Sequence, residues 1–210
     1  MDQVTPDTAE TQRLLGQVRG GDRQALDRLL ARHQPYLLRL VALRLDPKLR
    51  PRVDPSDVVQ EAQAEAVRRL DDYLAGPPMP FRLWLRQLAH DRLLMARRRH
   101  LAAARRAVGR EVALPDLSSA ILARQLLAAG STPSQKLGRQ ELAGRVREAV
   151  ARLPAADREV LAMRTFEGLS FDEVGYLLGI DPPAARKRHG RALIRLHAIL
   201  AEGGLTGSQL

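Results

Sequence analysis

Apolar positions recur along this chain with the three-and-four spacing of a helix face wherever the pattern is clear. Leu14, Leu15 and Val18 start one stripe, which Gly20–Gly21–Asp22 interrupts. Asp22 is placed to cap a second helix, whose stripe of Leu26, Leu29, Leu30 and His33 continues through Leu37, Leu40, Val41 and Leu45. Pro35 falls inside that stripe and predicts a kink or a helix junction. Pro47, Pro51 and Pro55 mark a connecting loop. The next predicted helix covers 55–73, with Asp54 as its N-cap and Pro55 in its first turn. Gly76–Pro77–Pro78–Met79–Pro80 makes a stiff loop, and a long helix follows over 81–106 with Phe81, Trp84, Leu85, Leu88 and Met95 on one face.

The pattern then changes. Pro115, Gly130, Ser131, Thr132, Pro133 and Ser134 give residues 107–139 the character of an interdomain linker, with room for a short amphipathic helix over 118–129. A second compact unit is predicted over 140–200, from helical pieces at 142–153, 155–166, 170–178 and 182–200. The ends read as loose: residues 1–12 as a polar N-terminus with no secretion signal, and 201–210 as a frayed tail. The predicted fold class is all-α, two helical domains joined by a linker.

Composition supports that class and narrows the chemistry. Strand formers are scarce, aromatics make up 3% of the chain, and Leu, Ala and Val must build the core. Lys and Arg number 34 against 24 acids, a net charge of +10, and only three of the 34 are lysines. Such a balance favours an anionic partner, nucleic acid first. The absence of cysteine excludes disulfides, a thiol nucleophile and Cys-ligated zinc or iron–sulfur sites. No stretch approaches the ~18 apolar residues of a membrane span, so a soluble, cytoplasmic protein without membrane contact is expected. His33, His90, His100, His189 and His197 lack metal-ligand spacing, and no phosphate loop, nucleophile elbow or dinucleotide fingerprint is present. We therefore expect neither an enzyme nor a cofactor.

Three constellations carry the functional reading. Ser170 with Glu173 forms a capping box, Leu178–Gly179–Ile180 a tight turn, and Asp181–Pro182 the start of a helix bearing Arg186, Lys187, Arg188 and Arg191. This is the pattern of a helix–turn–helix with a basic recognition helix. On the helix over 55–73, Val59, Ala62, Ala66, Leu70 and Tyr73 form an apolar face, and Asp54, Asp57, Glu61 and Glu65 fall opposite it. Spacing alone leaves that acidic face open as a docking surface for a basic partner or as a solvated face offsetting nearby arginines. The third constellation is the long helix, with nine arginines and one acid, Asp91, between Arg82 and Arg110. Phe81 and Trp84 could stack on unpaired bases, although periodicity favours core packing, and Arg97, Arg98 and Arg99 suit phosphate contact.

The order acidic-faced helix, Arg/aromatic helix, linker, helix–turn–helix resembles the sigma-70 family of bacterial transcription initiation factors, specifically its extracytoplasmic-function (ECF) class. Residues 54–61, Asp54-Pro55-Ser56-Asp57-Val58-Val59-Gln60-Glu61, look like its region 2.2. Residues 81–89, beginning Phe81-Arg82-Leu83-Trp84, look like regions 2.3 and 2.4. Leu153-Pro154, Arg158-Glu159-Val160-Leu161 and Glu167-Gly168-Leu169-Ser170-Phe171 look like region 4. The resemblance makes 13–106 region 2 and 140–200 region 4. It implies that Asp54, Asp57, Gln60 and Glu61 bind core RNA polymerase at its beta-prime clamp helices. It further implies that Phe81, Trp84, His90, Asp91 and Arg97 to Arg99 serve −10 recognition and melting. The loop over 74–80 would hold a flipped base, and the helix from Pro182 would read the −35 element. Promoter DNA, the polymerase beta subunit and an anti-sigma protein are the other partners the resemblance brings. Met95, Pro182–Pro183 and Gly190 depart from the usual pattern, and Gly190 weakens its helix by roughly 1 kcal/mol relative to Ala. The rival is an operator-binding regulator with the same helix–turn–helix, which has no use for the acidic face.

Overall fold

A computed structural model describes residues 7–45, 49–108, 145–146 and 148–203; of the linker expected over 107–139, residues 107–108 continue the long helix and 109–139 lie outside the described residues. Every regular element among the described residues is a helix, and the chain divides into two compact units. The first contains α1 (Ala9–Arg19), α2 (Arg23–Arg44), α3 (Pro55–Arg68), α4 (Leu70–Ala75) and α5 (Phe81–Val108). The second contains α6 (Ala155–Leu161), a π-helical turn (Ala162–Phe166), α7 (Phe171–Leu178) and α8 (Pro182–Glu202).

Local chemistry starts most of these helices. Asp22, Asp54 and Asp181 each accept a backbone N–H of the first turn, from Ala25, Ser56 and Ala184 respectively. The N-terminal order begins earlier than residue 13: Thr8 accepts from the Thr11 N–H at 3.3 Å and opens α1 at Ala9. Pro35 does not break α2, which runs through it. Pro35 has no N–H to give the Ala31 carbonyl, but both residues are exposed, where a missing helical bond costs little.

The helix predicted over 55–73 is two helices. Arg69, at φ −104° and ψ 9°, steps out of helical geometry between α3 and α4, and Leu70 and Tyr73 are buried beyond the break. α2, α3 and α5 pack around Leu29, Leu37, Val41, Val59, Ala62, Phe81, Leu85 and Leu88. The start of α5 is enclosed on nearly every side: Phe81, Leu83, Trp84, Leu85, Arg86, Leu88 and Ala89 are all buried. Met95, expected on that buried face, is instead exposed, because the enclosure ends near Leu93.

In the second unit, α8 packs on both α6 and α7 over Val160, Leu161, Val174, Ala185, Ala192 and Leu196. α8 extends two residues past the predicted end, and Glu202 pairs with Arg152 at 2.6 Å. Residues 204–210 of the expected tail lie outside the described residues.

Candidate nucleic-acid interface

The helix–turn–helix is built as its sequence predicts. Ser170 accepts from the Glu173 N–H at 3.1 Å, and the Glu173 carboxylate accepts from the Ser170 N–H at 2.7 Å. Gly179 takes φ +65°, a left-handed conformation that glycine adopts without a β-carbon clash. The turn aims α8 with its N-terminal half outward: Arg186, Lys187 and Arg191 are exposed, and Arg188 is half-buried. Arg186 lies over the Phe171 ring at 5.2 Å, and Arg164 approaches the same ring at 4.8 Å. His189 meets that ring edge-on at 5.6 Å, and burial, then the Arg164 charge, holds its pKa below the ordinary value. Farther along, Leu193 and Ile194 are exposed beside Leu196, His197 and Leu200, an apolar surface the sequence reading did not single out.

In the first unit the acidic face divides. Asp57, Gln60 and Glu61 are exposed on one side of α3. Glu65, expected with them, is buried instead. Its carboxylate takes Arg68 at 2.5 Å, Arg69 at 2.5 Å and Arg92 of α5 at 2.7 Å. The Arg68 hydrogen bonds first, with the neighbouring guanidinium charges, hold its pKa below the ordinary carboxylate value. Asp54 is exposed and occupied as a cap, and its bonds from the Ser56 N–H and hydroxyl lower its pKa likewise.

The α5 residues also separate by burial. Phe81 has no exposed surface and Trp84 little, which agrees with core packing: Tyr73 stacks on Trp84 at 4.5 Å, and Phe81 meets Tyr73 and His33 edge-on. Burying one such ring contributes about 1.5–3 kcal/mol. Neither ring, as placed here, presents a face to a nucleic-acid base. Asp91, Arg98 and Arg99 are exposed, and His90 and Arg97 are half-buried. Arg99 lies 3.6 Å from Glu61, so the arginine surface of α5 and the acidic surface of α3 adjoin. Ahead of α5, Ala75 to Pro78 are exposed, while the Tyr73 hydroxyl donates to the Met79 carbonyl at 2.9 Å and holds the loop down. Burial, and then the Asp7 charge, pushes the Tyr73 pKa far up.

A capped helix–turn–helix with exposed arginines, in one chain with a helical bundle carrying a second arginine surface, defines a DNA-binding transcription factor. Residues 143–196 match the family model for Sigma-70, region 4, and residues 29–103 match that for Sigma-70 region 2. The ECF RNA polymerase sigma factor ShbA of Streptomyces griseus is 30% identical, over 85% of this chain and 89% of its own length. The RNA polymerase sigma factor CnrH of Cupriavidus metallidurans is 29% identical, over 89% of this chain and 92% of its own. A solved structure of CnrH in complex with the cytosolic domain of CnrY shares the fold, with a TM-score of 0.55 at 24% identity over 92% of this chain and 99% of that one. The chain belongs to the ECF class of the sigma-70 family, and it is a transcription initiation factor. Among the described residues no helix is long and apolar enough to cross a membrane.

Proposed function

We propose that this factor joins core RNA polymerase through the α3 surface of Asp57, Gln60 and Glu61, and that Asp54 serves there mainly as the cap that sets the helix. The observation that carries this reading is the division of the α3 acids. Glu65 is neutralised by three arginines, whereas Asp57 and Glu61 stay exposed on a protein of net charge +10. Exposed carboxylates on so basic a chain suit a basic protein surface, such as the beta-prime clamp helices, and are of no use to an operator-binding regulator. The exposed Leu193 and Ile194 suit a second polymerase contact, to the beta subunit.

Promoter DNA meets two basic surfaces in this reading. Arg98 and Arg99, with Arg97, His90 and Asp91 beside them, serve the −10 element, and the loop over 76–80 holds an unpaired base. Phe81 and Trp84 support that loop from the core. Arg186, Lys187, Arg188 and Arg191 serve the −35 element, with arginines suited to guanine edges and phosphates. The factor acts in the cytoplasm by placing polymerase, with no chemical step or cofactor of its own. The solved relative bound to the CnrY cytosolic domain supports an anti-sigma protein as a further partner.

Run-off transcription with purified core polymerase on genomic fragments tests the proposal. Discrete transcripts that depend on this chain are expected. Core polymerase that binds this chain yet yields no promoter-dependent transcripts would overturn the assignment of the two basic surfaces to the −10 and −35 elements.

A further inference from the structure

α5 begins without a cap of its own. Its N-cap residue is Pro80, which has no side-chain acceptor, and its carbonyl takes the Leu83 and Trp84 N–H groups, each at 3.0 Å. That leaves the N–H groups of Phe81 and Arg82 at a largely buried helix end, where unpaired donors are costly. Both go to one carboxylate 74 and 75 residues away: Asp7 accepts from Phe81 at 2.7 Å and from Arg82 at 3.3 Å. The same N-terminal region also holds the elements that flank the loop. Arg19 donates to the Leu74 carbonyl at 3.3 Å, ahead of the loop. Thr11 bonds His33 at 3.3 Å, and the His33 ring meets Phe81. Tyr73, against Phe81, ties down the Met79 carbonyl. The loop over 76–80 is thus fixed at entry and exit, and only its exposed crown is left to meet a ligand.

We propose that Asp7 is a positioning residue for promoter opening: it supplies from the N-terminal segment the cap that α5 lacks, and so holds the loop over 76–80 in the form that receives an unpaired base. The proposal rests on the reading of that loop given above. Asp7 need not touch DNA. Its carboxylate fixes the first turn of α5, which fixes Pro80 and the loop's exit. Residues 7–19 then form a brace for opening, although the sequence alone reads residues 1–12 as a loose polar N-terminus.

The test uses the full-length chain bound to core polymerase on a promoter found by run-off transcription. Asp7→Ala should join polymerase as the unsubstituted chain does and form the closed complex. Permanganate reactivity of the −10 thymines should fall on the order of tenfold, the effect of losing a charged cap. A pre-melted template should restore transcription. Adding Pro80→Asp, which puts a carboxylate at the local N-cap, should restore opening on the duplex while leaving the N-terminal segment unchanged. Loss of polymerase binding together with opening would make Asp7 a folding residue and overturn the proposal, as would failure of the local cap to rescue. Pro77→Ala with Pro78→Ala separates the two levels of the argument. If that loop variant loses opening while Asp7→Ala keeps it, Asp7 is not the brace and the loop reading stands. If both open normally, the loop reading falls and the proposal with it.

Discussion

Gly175 and Ile180 lie so close across the helix–turn–helix that a β-carbon on Gly175 would stand 2.7 Å from the Ile180 carbonyl oxygen. The pair is also bonded, Ile180 N–H to Gly175 carbonyl at 2.9 Å, so neither backbone segment can retreat without opening the turn. Gly175→Ala should destabilise the second unit by about 1–3 kcal/mol, as overpacking does. Gly190 is the control: nothing lies within 4 Å of a β-carbon there, and Gly190→Ala should stabilise α8 by about 0.5–1 kcal/mol. Calorimetry of the two variants reads both signs, and an unchanged Gly175→Ala transition would refute the tight approach.

Polymerase binding should separate the two kinds of α3 carboxylate. Reversing Asp57 and Glu61 to Arg should weaken core polymerase binding by on the order of 1–3 kcal/mol per lost charged contact, with helicity retained. Glu65→Gln should behave oppositely, lowering thermal stability because Arg92 and its neighbours lose their common anion. Co-purification with core polymerase and circular dichroism distinguish these outcomes. A double reversal that still co-purifies fully would move the docking surface elsewhere.

Acid should act through His33. Burial is the main reason its pKa lies below the ordinary value; Asp7 pulls the other way, and Arg32 and Arg82 add to the lowering. The unfolded chain therefore binds a proton at His33 more readily than the folded one. This contribution to stability is complete above the unfolded pKa of about 6.5 and is lost as pH falls through that value toward the folded pKa. Melting the first unit between pH 7.5 and 5 should show the loss, and His33→Gln should flatten it. Equal slopes for both proteins would exclude His33 as the source.

At the −35 element, Arg186 and Arg188 should separate by role. Arg188→Ala and Arg186→Ala should each weaken promoter binding. A base-reading arginine should also relax sequence preference at one position, whereas a phosphate contact should shallow the salt dependence by roughly one unit. Phe171→Leu, which removes the ring beneath Arg186, should reproduce part of the Arg186→Ala effect. Footprints over the −35 region that none of these variants alters would place recognition on another surface.

Much of this molecule is legible where cap and helix are neighbours in sequence. Asp22, Asp54, Asp181 and the Ser170–Glu173 box all lie within three residues of the groups they satisfy. Features that depend on a distant segment are not legible in that way. Nothing near Pro80 announces that its missing acceptor is Asp7. Glu65 shares the spacing of Asp57 and Glu61, and only the arrival of Arg92 from α5 turns it into a buried anchor. Pro35 reads as a kink or a helix junction until the solvent exposure of Ala31 is known. The double use of Phe171, as first residue of α7 and as platform for two arginines, becomes visible only when α8 crosses it. Resemblance supplied the assignment of the α3 acids to docking, which spacing had left open.

The π-helical turn over Ala162–Phe166 has a consequence for how this family member tolerates change in length. A π turn accommodates one residue more than an α turn, a surplus folded into an otherwise ordinary helix. Deleting one of those five residues would remove the surplus and let α6 close as regular helix, with everything downstream near its present bearing. One residue added to α6, beyond what the π turn already absorbs, would instead rotate everything downstream by about 100°, the angle one residue subtends. Ser170 would no longer lead into α7 at its present angle, and Arg164 would leave the Phe171 ring. The arginines of α8 would keep their chemistry and lose their bearing, so a one-codon insertion remote in sequence from α8 would act on DNA recognition as a change of aim.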